Sequence, residues 1–399
     1  MRTSLGRPDR LPLSRYGVAA AAALATAVVL AACGSSGSDD DGAGTSATGA
    51  ASASASDDTL TATVDKLLEP IARIPVPTTK LDGVAGLKGK TVYYVPVTQQ
   101  SSQFKIIGDA LASALDAVGI SLQICNGGAN PTQITACVNQ AVGANAGAIV
   151  TDAIPYALAA NALGAAQAKN IPVLITNQIA DPAHPVSKTL GYVEGGGTAQ
   201  LKAVADWIIV DSGGKANVLI NGSTDSPSSQ AYVQAARDEF SDHCPGCKVT
   251  VNSISSANFP LIAPSTSSAI LRTPGVNYVL SEFDQYLQPT LGGVQQAGKL
   301  TSVKGASGSA QLAGLQMLAS KNFLHVDAGQ ASTFQGWVDA DAVLRLMLDK
   351  PLPAYDSVVR LFTRDNVSGL KLTADGEASG EWYGPTSFPV QFKALWGLS

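Results

Sequence analysis

From Lys90 onward, short runs of β-branched and other apolar residues at positions 91–97, 121–126, 146–152, 172–177 and 190–194 alternate with longer stretches at 103–118, 131–144 and 157–169. The short runs are continuously apolar, as strands covered on both faces are, and the longer ones repeat apolar residues every three to four positions, as amphipathic helices do. Strand, helix and strand in succession form the βαβ unit, so the pattern predicts a parallel sheet. A second series follows Gly195-Gly196-Gly197, with strands at 216–221, 248–253, 277–282, 302–304 and 324–327 and helices from about Ala199, Ser226, Leu261, Asp284 and Ala310. Two such series predict an α/β protein of two Rossmann-like lobes, the glycine triplet marking the first passage between them.

Open parallel sheets bind ligands beyond the carboxyl ends of their strands. Where two such sheets face each other, those ends share one cleft. That geometry selects residues 99–104, 151–156, 177–178, 222–230, 283–284, 305–309 and Gln330 as its lining.

Ahead of Lys90 the pattern changes. Arg2, Arg7, Arg10 and Arg15 precede an uncharged stretch, 17–32, that closes in Leu30-Ala31-Ala32-Cys33. A basic start, a short apolar run and small residues before a cleavage point mark an export signal, whereas a spanning helix needs roughly 20 apolar residues. The ending resembles the lipobox of bacterial lipoproteins. That resemblance implies removal of residues 1–32, lipid on Cys33 and anchorage to the outer face of the cell membrane. Residues 33–58 are nearly all Gly, Ser, Ala, Thr and Asp, have nothing to bury and read as a flexible tether. Within 59–89, residues 59–73 form a helix and Pro75 and Pro77 an extended lead, expected to pack on the first lobe.

Charge narrows the partners. The whole chain carries −5, and loss of the signal's four arginines and Asp9 takes it to about −8, which argues against nucleic acid or anionic lipid as a partner, since both demand clustered Lys and Arg. Five cysteines in an exported chain leave four to pair once Cys33 is set aside. Cys125 ends a strand and Cys137 lies in the next helix, so a disulfide across that turn is sterically reasonable. Cys244-Pro-Gly-Cys247 sits at a helix-to-strand turn. Its spacing also occurs in thiol oxidoreductases, where a helix N-terminus lowers one thiol's pKa; here the cysteines follow a helix, and a structural bridge is expected. His243 beside them makes only three candidate metal ligands.

Catalytic signatures are thin. His184, His243 and His325 are the only histidines, H-E-x-x-H is absent, and Gly305-Ala306-Ser307-Gly308 has the wrong spacing for a nucleophile elbow. Gly89-Lys90-Thr91 ends like a P-loop, but Val84 stands where its first glycine belongs. The chain reads as a binder rather than an enzyme, without a cofactor or metal.

Val95-Pro96-Val97, Ser101-Ser102-Gln103-Phe104, Asn130-Pro131, Asn170-Ile171-Pro172-Val173 and Pro274-Gly275-Val276-Asn277-Tyr278-Val279 follow one another in order. Together they make residues 90–363 resemble the type I periplasmic substrate-binding proteins of ABC transporters, in the ribose- and galactose-binding branch. The resemblance implies a three-crossing hinge, with lobe 1 from 90–194 plus 331–358 and lobe 2 from 195–330 plus 359–399. It also implies a returning helix at 334–348, closure around a solute and delivery to an ABC permease.

Sugar binders of that family grip hydroxyl groups with charged planar side chains and hold the ring between aromatics. Carried over, their aspartate-arginine pair falls on Asn177-Gln178, and the next arginine on Gln230, with Tyr232 as the other register. The second-lobe asparagine falls on Phe283 before Asp284, the phenylalanine-aspartate pair on Ala306-Ser307, and the hinge glutamine on Gln330. Phe104 and Phe259 keep aromatic positions. With Gln100, Gln103, Thr151 and Tyr156 these are the candidate ligand-binding residues. Each has a plainer reading: Asp152 and Asp284 as helix caps, the phenylalanines as core. Amides and hydroxyls in place of charged anchors suit a small neutral solute, sugar-like or nucleoside-like, because a charged one would be buried unpaired. A sensory receptor, a binder of an apolar cyclic compound and a thiol–disulfide enzyme acting through Cys244 and Cys247 are the alternatives. Residues 368–399, rich in aromatics (Trp382, Tyr383, Phe388, Phe392 and Trp396), lie beyond the resemblance. They are expected to cover a lobe surface, with any part near the hinge within reach of the cleft.

Overall fold

A computed structural model describes residues 48–398, with side chains from Asp58 onward; Cys33 and the export signal lie outside the described residues. The chain enters as helix α1 (Thr48–Leu68). Its first half is the Ala- and Ser-rich end of the expected tether, and alanine's helix propensity carries the helix upstream of residue 59. Leu60 and Val64, one turn apart, join the core of the second lobe and not the first, as had been expected.

Lobe 1 comprises β1 (Thr91–Pro96), α2 (Ser102–Asp116), β2 (Ser121–Ile124), α3 (Pro131–Gly143), β3 (Ala148–Asp152), α4 (Ala160–Ala168), β4 (Val173–Thr176) and β5 (Leu190–Val193). Its strands are parallel in the order β2-β1-β3-β4-β5. β3 and β4 are buried along their whole length, which accounts for their unbroken apolar runs. Asn130 sets the start of α3, its side chain accepting the Thr132 and Gln133 N–H groups while Pro131 opens the first turn.

Lobe 2 repeats the plan with α5 (Gly197–Asp211), β6 (Asn217–Ser223), α6 (Pro227–His243), β7 (Lys248–Ile254), α7 (Ile262–Arg272), β8 (Tyr278–Ser281), α8 (Leu287–Gln296), β9 (Lys304–Gly308), α9 (Leu312–Ala319) and β10 (Leu324–Gln330). The chain then returns to lobe 1 for α10 (Ser332–Met347), which packs on α2, and re-enters lobe 2 as β11 (Val359–Thr363). The second sheet runs β11-β10-β9-β8-β6-β7, parallel except for β11. The expected two-lobe α/β fold is thus present, with hinge passages at 194–196, 331 and 348–358.

Other expected boundaries are corrected. The strand expected at 302–304 runs Lys304–Gly308, and it lacks β-branched residues for a steric reason. A Cβ on Gly305 would stand 2.5 Å from the Phe323 ring. Ser307 is therefore inside a strand and fully buried. Nor do residues 359–399 all belong to lobe 2. After α11 (Ala374–Ser379), α12 (Phe388–Leu395) lies on α10 of lobe 1. There Trp396 stacks on Trp337 with ring centroids 5.7 Å apart, and its indole N–H donates to Asp341 at 2.8 Å. The N-terminal lead also changes lobe, since Leu81, Val84 and Leu87 join the apolar cluster around α10, and Leu81 N–H donates to Leu395 O at 3.0 Å. The two extra passages meet where Ile71 N–H donates to Tyr383 O at 2.8 Å. With these two added to the three of the expected hinge, five passages tie the lobes together.

Both expected disulfides, Cys125–Cys137 and Cys244–Cys247, are present. Cys244 is buried at the end of α6, away from the exposed helix N-terminus that thiol chemistry favours.

Candidate functional site

In lobe 1 the chain leaves β1 for β2 on one side and β3 on the other, and in lobe 2 it leaves β6 for β7 and β8. Each reversal opens a crevice at the carboxyl ends of the strands, where such folds bind ligands. Asp152 ends β3 and Glu282 follows β8, one beside each crevice.

Asn177, just after β4, has φ 54°, a left-handed conformation that asparagine adopts more readily than most residues. Its Nδ2 donates to Asp152 Oδ1 at 2.8 Å, and its Oδ1 accepts from Gln330 Nε2 at 3.0 Å. Asp152 Oδ2 accepts from the Tyr94 hydroxyl at 2.6 Å, and Gln330 Oε1 from Gly196 N–H. One run of hydrogen bonds thus joins the lobe 1 sheet to the first two hinge passages. A Cβ on Gly195 would fall 2.0 Å from Asn177 Oδ1, so the glycine triplet makes room for this network. Burial pushes the Asp152 carboxyl up to about 6, against the lowering effect of Tyr94 and Asn177.

A second set of bonds crosses directly between lobes. Ser228 Oγ, in the first turn of α6, accepts Ile179 N–H at 3.0 Å and donates to Gln178 Oε1 at 2.8 Å. One turn on, the Tyr232 hydroxyl donates to Asn177 O at 3.4 Å. Helical periodicity puts Ser228 and Tyr232 on one face, and Gln230 is exposed. Of the two registers left open by the sequence, the structure brings Tyr232 to the lobe boundary.

Around Gln330 a pocket forms between the lobes. Gln103 and Ile106 come from α2, Ser309 and Gln311 precede α9, and Ser332 follows the second passage. The C-terminal segment adds Glu377, Trp382 and Tyr383. The free space is about 10 Å³, room for about one water, so the lobes must part to admit a sugar-sized molecule. A larger hollow of about 300 Å³ lies on lobe 2 alone, among Thr224, Ser253, Ser255, Asn258, Leu261 and Ser265. The interlobe pocket is the stronger candidate because it gathers polar groups from both lobes and the hinge. Neither is lined by Lys, Arg or His.

The remaining candidates lie elsewhere. Thr151 is fully buried inside β3, and Phe104 is buried in the first turn of α2. Tyr156 stacks on His184 at 3.8 Å and donates to Gln167 at 2.7 Å. Gln100 is exposed, and Phe259 is 44% exposed beside the lobe 2 hollow. Phe283 packs toward Tyr286. Asp284 accepts Ser307 Oγ at 2.7 Å and Gln311 N–H at 2.8 Å. It therefore holds the entrance to α9, in carboxyl contact with Asp327, and burial raises it to about 6 and Asp327 well above the usual range. Glu282 is a buried acid that the sequence reading passed over. Its Oε2 accepts Ser223 N–H at 2.5 Å, its Oε1 has no partner among the described residues, and burial pushes it well above the ordinary carboxyl range.

The fold matches solved solute-binding proteins. A 5-methylthioribose transporter protein from Thermotoga lettingae aligns at TM-score 0.64 and 19% identity, over 77% of this chain and 97% of that one. An allitol-bound protein from Agrobacterium vitis aligns at TM-score 0.61 and 17% identity, over 71% and 98%. A myo-inositol-bound protein from Bacillus halodurans aligns at TM-score 0.60 and 14% identity, over 70% and 96%. At these identities the likeness is one of fold. Among curated protein sequences none matches. A model of the periplasmic binding protein domain matches residues 92–348, well over half of the chain. The chain therefore belongs to the periplasmic binding protein family, whose members bind solutes rather than transform them.

Proposed function

We propose that this protein captures a small neutral, hydroxylated solute, sugar-like or nucleoside-like, between its lobes and presents it to an ABC permease. The observation that carries the reading is the interlobe pocket, where Gln103, Gln311, Gln330, Ser309 and Ser332 converge from both lobes and the hinge. Amides and hydroxyls both donate and accept, as a polyol requires, and without Lys, Arg or His in the lining an anionic solute would lack a counter-charge. The structural neighbours named above carry 5-methylthioribose, allitol and myo-inositol, all neutral and hydroxylated. The lipobox-like ending at Cys33 supports export and a lipid anchor on the outer face of the membrane, with residues following Cys33 as the spacer.

The reading is tested by titration calorimetry of those three compounds and D-ribose against wild type, Gln103→Ala and Gln311→Ala. A solute held from both lobes loses about tenfold in affinity from either change, about one hydrogen bond's worth. Sensitivity to neither change would remove the interlobe pocket as the site.

A further inference from the structure

The C-terminal segment, which lies outside the matched domain, enters the cleft. It leaves β11 in lobe 2, passes through α11 and reaches α10 of lobe 1 through α12. On the way Glu377 meets a helix start from each lobe. Its Oε1 accepts the Ser102 hydroxyl at 2.7 Å, in the first turn of α2, and the Leu312 N–H at 3.1 Å, in the first turn of α9. Both helix starts stand at the carboxyl ends of strands, where the two lobes face each other, and both favour a carboxylate. The other oxygen, Oε2, has no hydrogen bond among the described residues, and Glu377 lines the interlobe pocket together with Trp382 and Tyr383. Room for this segment is cut into the hinge strand, because a Cβ on Gly329 would stand 2.2 Å from the Tyr383 hydroxyl.

The geometry points to Glu377 as a ligand-contacting, specificity-determining residue supplied from outside the family domain. It is the one ionisable acid in a lining otherwise made of amides, hydroxyls, aromatic rings and aliphatic groups. Oε1 fixes its position through both lobes, and Oε2 accepts a hydrogen bond from a solute hydroxyl. A carboxylate acceptor makes a charge-assisted bond with a hydroxyl, about twice as strong as a neutral one. It favours solutes that offer donors and disfavours phosphorylated or carboxylated ones by repulsion. This rests on the solute-binding reading above and narrows it to polyols whose hydroxyls face the C-terminal segment.

The test uses the full-length protein, Glu377→Gln and Glu377→Ala, titrated with myo-inositol, allitol, D-ribose and 5-methylthioribose and followed by calorimetry and tryptophan fluorescence. Glutamine keeps an oxygen for Ser102 and Leu312 but replaces Oε2 with an amide that cannot accept. The expected result is at least a tenfold loss of affinity in Glu377→Gln with its thermal midpoint unchanged, and no smaller loss in Glu377→Ala. If Glu377→Gln binds as tightly as wild type, Glu377 only ties the helix ends together and the proposal is overturned. If wild type binds none of the four compounds, the solute reading itself fails and this assignment falls with it, a result distinct from retention of binding in the variant.

Discussion

Asn177 Nδ2 stands 2.8 Å from Asp152 Oδ1, in hydrogen-bonding contact with a carboxyl that burial raises to about 6. Asn177→Asp would put a second carboxyl in the same place. Like charges at that distance do not both ionise, so the pair would share a proton and titrate above the single acid. A raised folded-state pKa gives stability that is present at low pH and lost as pH rises through it. The variant is expected to match wild type closely near pH 5 and to be less stable by about 2–4 kcal/mol at pH 8. Thermal midpoints at the two pH values check this; an equal penalty at both would show that charge is not the cause.

Asp206 tests the same linkage away from the cleft. It is buried on α5, its Oδ1 lacks a partner among the described residues, and burial with nearby Glu239 raises it to about 7 despite His243 and Lys202. Its contribution is full below the unfolded carboxyl range and is lost between about pH 4 and 7. Asp206→Asn is expected to stabilise the protein by about 1–3 kcal/mol at pH 8, with the gain shrinking toward pH 4. Denaturant unfolding at both ends of that range measures it, and a gain independent of pH would point to packing instead.

Much of this was legible in the sequence. Alternating runs from Lys90 onward gave the order of strands and helices because parallel strands covered on both faces must be apolar throughout. Asn130-Pro131 marked a helix start through cap chemistry that reaches only a few residues. The hinge glutamine, Gln330, and Asn177 were visible as strand-end amides. What escaped depends on distant contacts. β9 reads poorly as a strand because Phe323 demands small residues at Gly305, and Ser307 was misplaced for that reason. Glu377 gives no local signal, since its role depends on Ser102 and Leu312 from opposite lobes. The aromatic C-terminus announced packing but not its partner, α10.

The C-terminal anchor makes a stability prediction. Trp396 stacks on Trp337 at 5.7 Å and hydrogen-bonds Asp341, and it is 3% exposed. Trp396→Ala is expected to cost about 3–5 kcal/mol and to expose 364–398 to limited proteolysis while the lobes remain folded. A variant with wild-type midpoint and protease resistance would show that α12 contributes little.

Removing the bridge across the β2–α3 turn should act through the unfolded chain. Cys125 and Cys137 close a loop of sequence separation 12. The double change Cys125→Ser and Cys137→Ser is expected to cost about 3 kcal/mol by loop entropy, with unchanged solute affinity because neither residue lines the interlobe pocket. Wild type, denatured without reductant, should show no free thiol apart from any at Cys33.

The most direct test of solute capture is thermal unfolding of the full-length protein with myo-inositol, allitol, D-ribose and 5-methylthioribose, each beside a phosphorylated sugar. A neutral polyol at 100 times its dissociation constant should add about 2.7 kcal/mol of stability and raise the midpoint, while the phosphorylated sugar leaves it in place. Midpoints unmoved by every neutral compound, or raised only by the anionic one, would contradict a protein built to hold a neutral hydroxylated solute between its lobes.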